Sequence, residues 1–141
     1  MSALAAKGVA TRNAWKRPVC DDDRMAVRVL IVDDHPGFRA RARALLESEG
    51  FEVVGEAGSG AEGVRSAREL GPDVVLLDVQ LPDTDGFAVA SAVTADDGGV
   101  QVVLTSSRDG SDFGALVGSC GARGFIAKAE LSGARVAALL R

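Results

Sequence analysis

Cysteine is scarce in this sequence of 141 residues, and its scarcity excludes two kinds of protein. The two cysteines, Cys20 and Cys120, are too few for the disulfide framework of a small secreted module. Neither lies in a CxxC pair or beside a histidine, as the ligands of a structural zinc ion would. We therefore expect free thiols and a cytoplasmic protein.

The chain also lacks long hydrophobic runs and an excess of positive charge. Its longest apolar run is about six residues, whereas a membrane-spanning helix needs roughly twenty. Its 16 Lys and Arg are outnumbered by 20 Asp and Glu, which gives a formal charge of -4 and a pI near 5. We expect neither a membrane nor a nucleic acid as a direct partner.

What is present is enough apolar material for one core, since 47% of the residues are hydrophobic and 26% are charged. The first 26 residues show no apolar period and end in a basic patch followed by three aspartates. We interpret residues 1–26 as a flexible N-terminal extension and residues 27–141 as a single domain.

From Val27 onward, short apolar runs alternate with amphipathic stretches, which is typical of βα units around a parallel sheet. Glutamates interrupt the second run, which favours an edge strand. The predicted strands are residues 27–32, 52–57, 73–77, 100–104 and 124–127. Helical spacing and capping signals predict helices from Pro36 to Gly50, Ser59 to Gly71, Phe87 to Thr94, Asp112 to Ser119 and Leu131 to Leu140.

Polar side chains follow the inner strands of this sheet, at the point where each strand ends. They are Asp33 and Asp34 after the first strand, Asp78 after the third, Thr105 at the end of the fourth and Lys128 after the fifth. In an open α/β sheet, the carboxyl ends of the strands form the ligand-binding edge. Carboxylates gathered there repel one another unless a cation lies among them, so the sequence implies a metal ion.

The chemistry of this edge favours phosphoryl transfer. Oxygen ligands select Mg²⁺ or Mn²⁺. Lys128 can pair with a carboxylate or a phosphoryl group, and the Thr105 hydroxyl can donate to a phosphoryl oxygen. Asp78 is the natural nucleophile and would form an aspartyl phosphate. The alternative for Asp33 and Asp34 is that they only cap the helix that begins at Pro36.

His35, the only histidine of the chain, lies directly after the acidic pair. A side chain at this position of the loop is expected to point away from the pocket or to cap the helix locally, and we do not assign it to the metal.

Four segments, VLIVDDHPGFR, VVLLDVQLPDTDGF, VVLTSS and GFIAK, resemble the response-regulator receiver domain of two-component signalling. The resemblance covers residues 27–141. The DDHP opening and the absence of proline after Lys128 resemble receivers of LuxR-type regulators in particular. The resemblance implies a flavodoxin-like three-layer α/β sandwich with a five-stranded parallel sheet in the order 2-1-3-4-5.

The same resemblance implies a role for each site residue. Asp78 would be the phosphoacceptor, and Asp34 and Asp78 would ligate Mg²⁺ directly. Asp33 would act mainly through water, and the backbone carbonyl of Gln80 would be the remaining protein ligand. Thr105 would be the switch hydroxyl. Phe125 would be the switch aromatic that turns inward when Thr105 moves toward the phosphoryl group.

By this resemblance the chain is a phosphorylation-controlled switch and not a turnover enzyme, with a sensor histidine kinase as phosphodonor and an unknown downstream protein as partner. Only 13 residues follow Lys128, so we expect a stand-alone receiver or a fragment, either monomeric or dimerising on phosphorylation. The alternatives are a receiver-like interaction module that never carries phosphate and a haloacid-dehalogenase-like phosphatase. The phosphatase needs a second Asp two residues after the nucleophile, where this chain has Gln80.

Overall fold

The computed structural model describes residues 26–95, 99–107 and 114–140. Apart from Ala26, the predicted N-terminal extension lies outside these residues. The strands are β1 (Arg28–Val32), β2 (Glu52–Ala57), β3 (Val74–Asp78), β4 (Gln101–Ser106) and β5 (Gly124–Ala127). The helices are α1 (Pro36–Ser48), α2 (Gly60–Leu70), α3 (Gly86–Ala95), α4 (Gly114–Ser119) and α5 (Gly133–Leu139), and a 3-10 turn (Lys128–Glu130) follows β5.

The five strands form one parallel sheet in the order β2-β1-β3-β4-β5, as predicted. The second strand lies at the edge, where its two glutamates are compatible with solvent. The inner strands β1, β3 and β4 are almost completely buried because helices cover both faces.

Alternate residues of each strand supply two separate cores. Leu30, Val75 and Leu77 pack on one face with side chains from α2 and α3. On the other face, Ile31 and Leu76 pack with side chains from α1 and α5. The fold is therefore the flavodoxin-like three-layer sandwich that the sequence predicts. None of the helices described is both long and apolar enough to cross a bilayer.

The capping signals of α2 act as predicted. The Ser59 hydroxyl accepts a hydrogen bond from the backbone N–H of Glu62, and the Glu62 carboxylate accepts one from Gly58. Gly71 ends the helix in the left-handed conformation, with a φ of 57°. Local hydrogen bonds and the backbone conformation of Gly71 therefore set the two ends of this helix.

Two element boundaries differ from the prediction in ways that concern function. The third strand includes Asp78 as its last residue, because Asp78 continues the ladder opposite Thr105 of β4. Asp78 therefore belongs to the sheet and not to the loop. The predicted helix over residues 112–119 is observed as Gly114–Ser119, and residues 112 and 113 lie outside the described part of the chain.

Candidate functional site

The carboxyl ends of β1, β3, β4 and β5 bring the predicted site residues to one edge of the sheet. Asp33 directly follows β1, Asp78 and Thr105 are paired across β3 and β4, and Lys128 directly follows β5. Asp33 and Thr105 are fully buried, and Asp78 is 3% exposed. Such burial of carboxylates is unusual unless each one has a charged partner.

Lys128 supplies that partner from the far end of the sheet. Its ammonium nitrogen Nζ lies 2.7 Å from Asp33 Oδ2 and 3.4 Å from Asp78 Oδ2, and it donates a hydrogen bond to Asp78. The contact with Asp33 is an ion pair outside hydrogen-bond geometry, and among the described residues Oδ2 of Asp33 has no hydrogen-bond partner. One ammonium thus serves two buried carboxylates.

The Asp78 carboxyl is held in an environment that disfavours its charged form. Burial raises its pKa above the ordinary value, and the nearby Asp33 carboxylate raises the pKa further. The Gln80 N–H, 3.2 Å from Asp78 Oδ1, and the Lys128 ammonium lower the pKa and only partly offset these effects. The pocket is therefore short of positive charge.

Two side chains of α1 hold the acidic pocket in place, and neither was assigned to the site from sequence. The Phe38 ring lies under Lys128, with Nζ 4.5 Å from the ring centroid, a cation–π contact. Arg39 donates from Nη1 to the backbone oxygen of Asp33 at 2.6 Å and from Nε to Glu56 at 3.0 Å. The sequence showed Phe38 only as an apolar position of a helix.

His35 lies in the pocket, contrary to the expectation that it points away. Its Nδ1 is 2.9 Å from Asp33 Oδ1, 3.1 Å from Asp34 Oδ1 and 4.0 Å from Asp78 Oδ2. The His35 backbone N–H also donates to Asp33 Oδ1 at 2.8 Å, which turns the residue back toward the carboxylates. His35 is the N-cap of α1 but makes no side-chain cap, and no cap by Asp33 or Asp34 is seen.

Thr105 brings a buried hydroxyl to the same edge. Within the part of the chain that the structure describes, its Oγ1 has no hydrogen-bond partner. A buried hydroxyl without a partner is destabilising, so its retention points to a ligand or a second conformation that would satisfy it.

Phe125 lies in β5, opposite Leu104 of β4. Its half-buried ring packs against the core that also contains α2 and α3. Phe125 therefore lies beside the residue that precedes Thr105 in β4.

The loop after Asp78 is held at both ends. Gly86 N donates to Val79 O at 2.6 Å, and a Cβ on Gly86 would collide with the carbonyl oxygen of Asp78. Asp83 accepts hydrogen bonds from Gly60 N at 2.8 Å and Ala61 N at 3.0 Å. These bonds lower the pKa of Asp83, and they tie the loop to the start of α2.

The pocket fits a divalent cation. One ligand atom each from Asp33, Asp34, His35 and Asp78 lies within 4.8 Å of the others. Three carboxylates suit a hard ion such as Mg²⁺. Asp33 Oδ2, which is ion-paired with Lys128, has no hydrogen-bond partner within the described part of the chain. The Gln80 side chain is exposed, which leaves its predicted role with the backbone carbonyl.

Comparisons with known proteins agree with this geometry. The family model for the response regulator receiver domain matches residues 29–139. The transcription regulator BvgA of Bordetella pertussis is 39% identical over 103 residues, which is 73% of this chain and 49% of BvgA. The chain spans about half the length of the first curated relatives that it matches.

Two solved structures are similar in fold and sequence. A LuxR-family two-component response regulator from Aurantimonas sp. SI85-9A1 has a TM-score of 0.73 at 34% identity, with 81% of this chain and 85% of that chain covered. CheY of Borrelia burgdorferi, in a complex with CheX, BeF₃ and Mg²⁺, has a TM-score of 0.71 at 29% identity, with coverages of 80% and 85%.

Proposed function

Because the chain belongs to the response-regulator receiver domain family of two-component signalling, we propose that it is a switch controlled by phosphorylation of Asp78. The observation that carries the proposal is the position of Asp78, which ends a buried strand beside Asp33 and Lys128. Its backbone is part of the sheet, its Oδ2 faces Lys128 and His35, and its Oδ1 accepts a hydrogen bond from the Gln80 N–H.

The chemistry follows from these positions. An Asp78 carboxylate oxygen forms a bond to phosphorus while the P–N bond of a phosphohistidine on the sensor kinase breaks. The electron pair of that bond goes to the histidine ring nitrogen, which then takes up a proton. Lys128, 3.4 Å from Asp78, is placed to neutralise the charge of the transferred group.

The metal ligands proposed are Asp34, Asp78 and the Gln80 carbonyl, with Asp33 acting through water. When bound, Mg²⁺ supplies positive charge that neutralises the phosphoryl oxygens. The similar Borrelia burgdorferi CheY complex contains Mg²⁺ and BeF₃, which supports Mg²⁺ as the ion.

The response to phosphorylation is assigned to Thr105 and Phe125. The Thr105 hydroxyl has no hydrogen-bond partner among the residues described, and a phosphoryl group on Asp78 of the neighbouring strand would give it one. Movement of Thr105 would leave space beside β5 for the half-buried Phe125 ring to turn inward. Phosphorylation then shifts a two-state equilibrium that a downstream protein reads.

The curated relatives suggest what the switch controls. BvgA is a transcription regulator about twice the length of the segment matched here. We propose that this receiver acts either alone, by docking to a partner protein, or as the regulatory part of a longer transcription regulator.

The test is a reaction with acetyl phosphate and Mg²⁺ followed by intact-mass spectrometry. We expect one phosphoryl adduct in the wild type, none in Asp78→Asn, and an unchanged adduct in the control Asp85→Asn, which alters an exposed acid of the same loop. If the folded wild type takes up no phosphoryl group, the interaction module without phosphate is the better description. Steady release of inorganic phosphate from many substrates would instead favour the phosphatase.

A further inference from the structure

We propose that Phe38 is a positioning residue for phosphoryl transfer, because the face of its ring holds the Lys128 ammonium where it can reach a phosphoryl group on Asp78. The inference rests on the proposed function and adds the side chain that controls where its lysine lies. Phe38 acts through Lys128 and not on the reacting atoms.

Two carboxylates and one aromatic ring lie around the Lys128 ammonium. Its Nζ is 2.7 Å from Asp33 Oδ2 and 3.4 Å from Asp78 Oδ2. The same nitrogen is 4.5 Å from the centroid of the Phe38 ring, well inside the roughly 6 Å over which a ring face attracts a cation. The Lys128 side chain is 15% exposed and Phe38 is 6% exposed, so little water screens this attraction.

The two carboxylates are partners that the ammonium loses during the proposed reaction. A divalent cation in the pocket competes with the ammonium for both of them, and Asp78 gives up its negative charge when an oxygen bonds to phosphorus. The Phe38 ring is removed by neither event, because it is held in the core with Ile31 and Leu46. Phe38 is therefore the partner that remains with the ammonium throughout.

A ring face also permits the movement that phosphoryl transfer requires. A hydrogen bond weakens steeply when its donor turns, whereas the attraction of a cation to a ring face has no such narrow direction. The ammonium can therefore turn from the carboxylates toward a phosphoryl oxygen while it stays over Phe38. Without that attraction, the flexible four-carbon stem of Lys128 would let the ammonium occupy other positions, and fewer molecules would have it in place.

Packing alone is the competing explanation of Phe38, which is also a core residue. In that case only the shape and the apolar surface of the ring matter, and the charge distribution on its face does not. A second cation, the exposed Arg41, also lies near the ring, with Cζ 5.9 Å from the centroid. The experiment must therefore change the ring face without changing the shape, and must separate Lys128 from Arg41.

The experiment replaces Phe38 in the full chain by monofluorinated and trifluorinated phenylalanine, which keep the size of the ring and progressively weaken its attraction for cations. The initial rate of phosphorylation by acetyl phosphate and Mg²⁺ is followed by intact-mass spectrometry. We expect the rate to fall about fivefold with the trifluorinated ring, the change equivalent to one cation–π contact, and to be intermediate with the monofluorinated ring.

Two controls separate this effect from packing and from Arg41. Phe51 packs against the same core as Phe38, and the same trifluorinated residue at position 51 should leave the rate unchanged. The fall caused by fluorination of Phe38 should persist in Arg41→Gln. A fall that disappears in Arg41→Gln would assign the effect to Arg41 and overturn the inference.

A second readout locates the lysine itself and does not depend on activity. The chain has only three lysines, so protein labelled with ¹³C-lysine gives three ε-methylene signals in NMR, and the signal absent in Lys128→Met belongs to Lys128. With Mg²⁺ present, we expect this signal to be displaced upfield by the Phe38 ring current. Because a fluorinated ring still has a ring current, a smaller displacement with trifluorinated Phe38 would report that the lysine has moved away.

The outcomes distinguish this inference from the switch on which it rests. Equal phosphorylation rates for the three rings at position 38, or a Lys128 signal without an upfield displacement in the wild type, overturn the role of Phe38 and leave the phosphorylation switch intact. A folded wild type that takes up no phosphoryl group refutes the switch, and the role of Phe38 in phosphoryl transfer with it.

Discussion

Lys128→Met is the substitution that tests most directly how the buried carboxylates are kept in the fold. Methionine preserves most of the length of the side chain but removes the ammonium, which lies over the Phe38 ring. The ammonium is 2.7 Å from Asp33 and 3.4 Å from Asp78, and its side chain is only 15% exposed. The variant therefore leaves two buried carboxylates without their shared partner.

The expected loss of stability follows from this burial. Breaking a buried ion pair by removal of one partner costs about 3 to 5 kcal/mol. We expect about 3 kcal/mol, near the low end of that range, because Arg39 remains beside the Asp33 backbone and offsets part of the lost charge. For a domain of this size the melting temperature then falls by about 10 °C.

Urea unfolding followed by circular dichroism, in EDTA at neutral pH, gives the measurement. Arg135→Met is the matched control, because Arg135 pairs with Glu130 at 3.9 Å while both side chains are about 60% exposed. Such a surface pair is worth about 0.5 kcal/mol or less. The double variant Asp33→Asn/Lys128→Met should recover most of the loss, since one of the two stranded charges is then gone.

The pH dependence of this loss has a definite sign. The pKa of Asp78 is raised in the folded protein, so its charged form destabilises the fold above the ordinary pKa of about 3.9. As the pH falls toward that value, Asp78 takes up a proton and the penalty of Lys128→Met shrinks. If Lys128→Met is as stable as Arg135→Met in EDTA at neutral pH, the ammonium does not balance the carboxylates, and the electrostatic reasoning fails.

Three further substitutions test the surroundings of the pocket. Gly86→Ala should destabilise the fold by about 2 kcal/mol, because its Cβ meets the Asp78 carbonyl. The control Gly118→Ala has open space around it and should be neutral or stabilise the fold by up to about 1 kcal/mol. Equal urea midpoints for the two variants would contradict the close contact at Gly86. Thr105→Val should raise the free energy of unfolding by about 1 kcal/mol, because it removes a buried hydroxyl that has no partner in the described ranges. It should also abolish the phosphorylation-dependent amide shifts of β5 in NMR, and a loss of stability would show that the hydroxyl is satisfied. Asp83→Asn should lower the urea midpoint at neutral pH, because the charged carboxylate stabilises the fold. The difference from the wild type should vanish as the pH falls through the lowered pKa of Asp83. A difference that stays constant with pH would mean that the cap does not depend on charge.

The sheet and its polar edge were predictable because each depends on local sequence. Apolar runs bounded by turns give the strands, and the residue after each run must lie at the carboxyl edge of a parallel sheet. Asp33, Asp78, Thr105 and Lys128 meet for this reason, and the structure brings them together as expected.

The parts that the sequence did not predict depend on side-chain direction and on contacts between distant segments. His35 turns into the pocket because its own backbone N–H bonds to Asp33, a detail that no apolar pattern encodes. Asp83 caps a helix that begins 23 residues earlier, so no local capping signal marks it. Phe38 has the periodicity of a core residue, and only the fold places Lys128 above its ring.

The double anchoring of the segment between Asp78 and Gly86 has a consequence for how this connection can vary. An inserted residue would either carry Asp83 out of reach of Gly60 and Ala61 or lift Gly86 away from the strand end on which it sits. Insertions and deletions should therefore be poorly tolerated here, although the segment lies at the surface. In a library of single-residue insertions, folded variants should be rare for this segment and common for turns elsewhere in the chain.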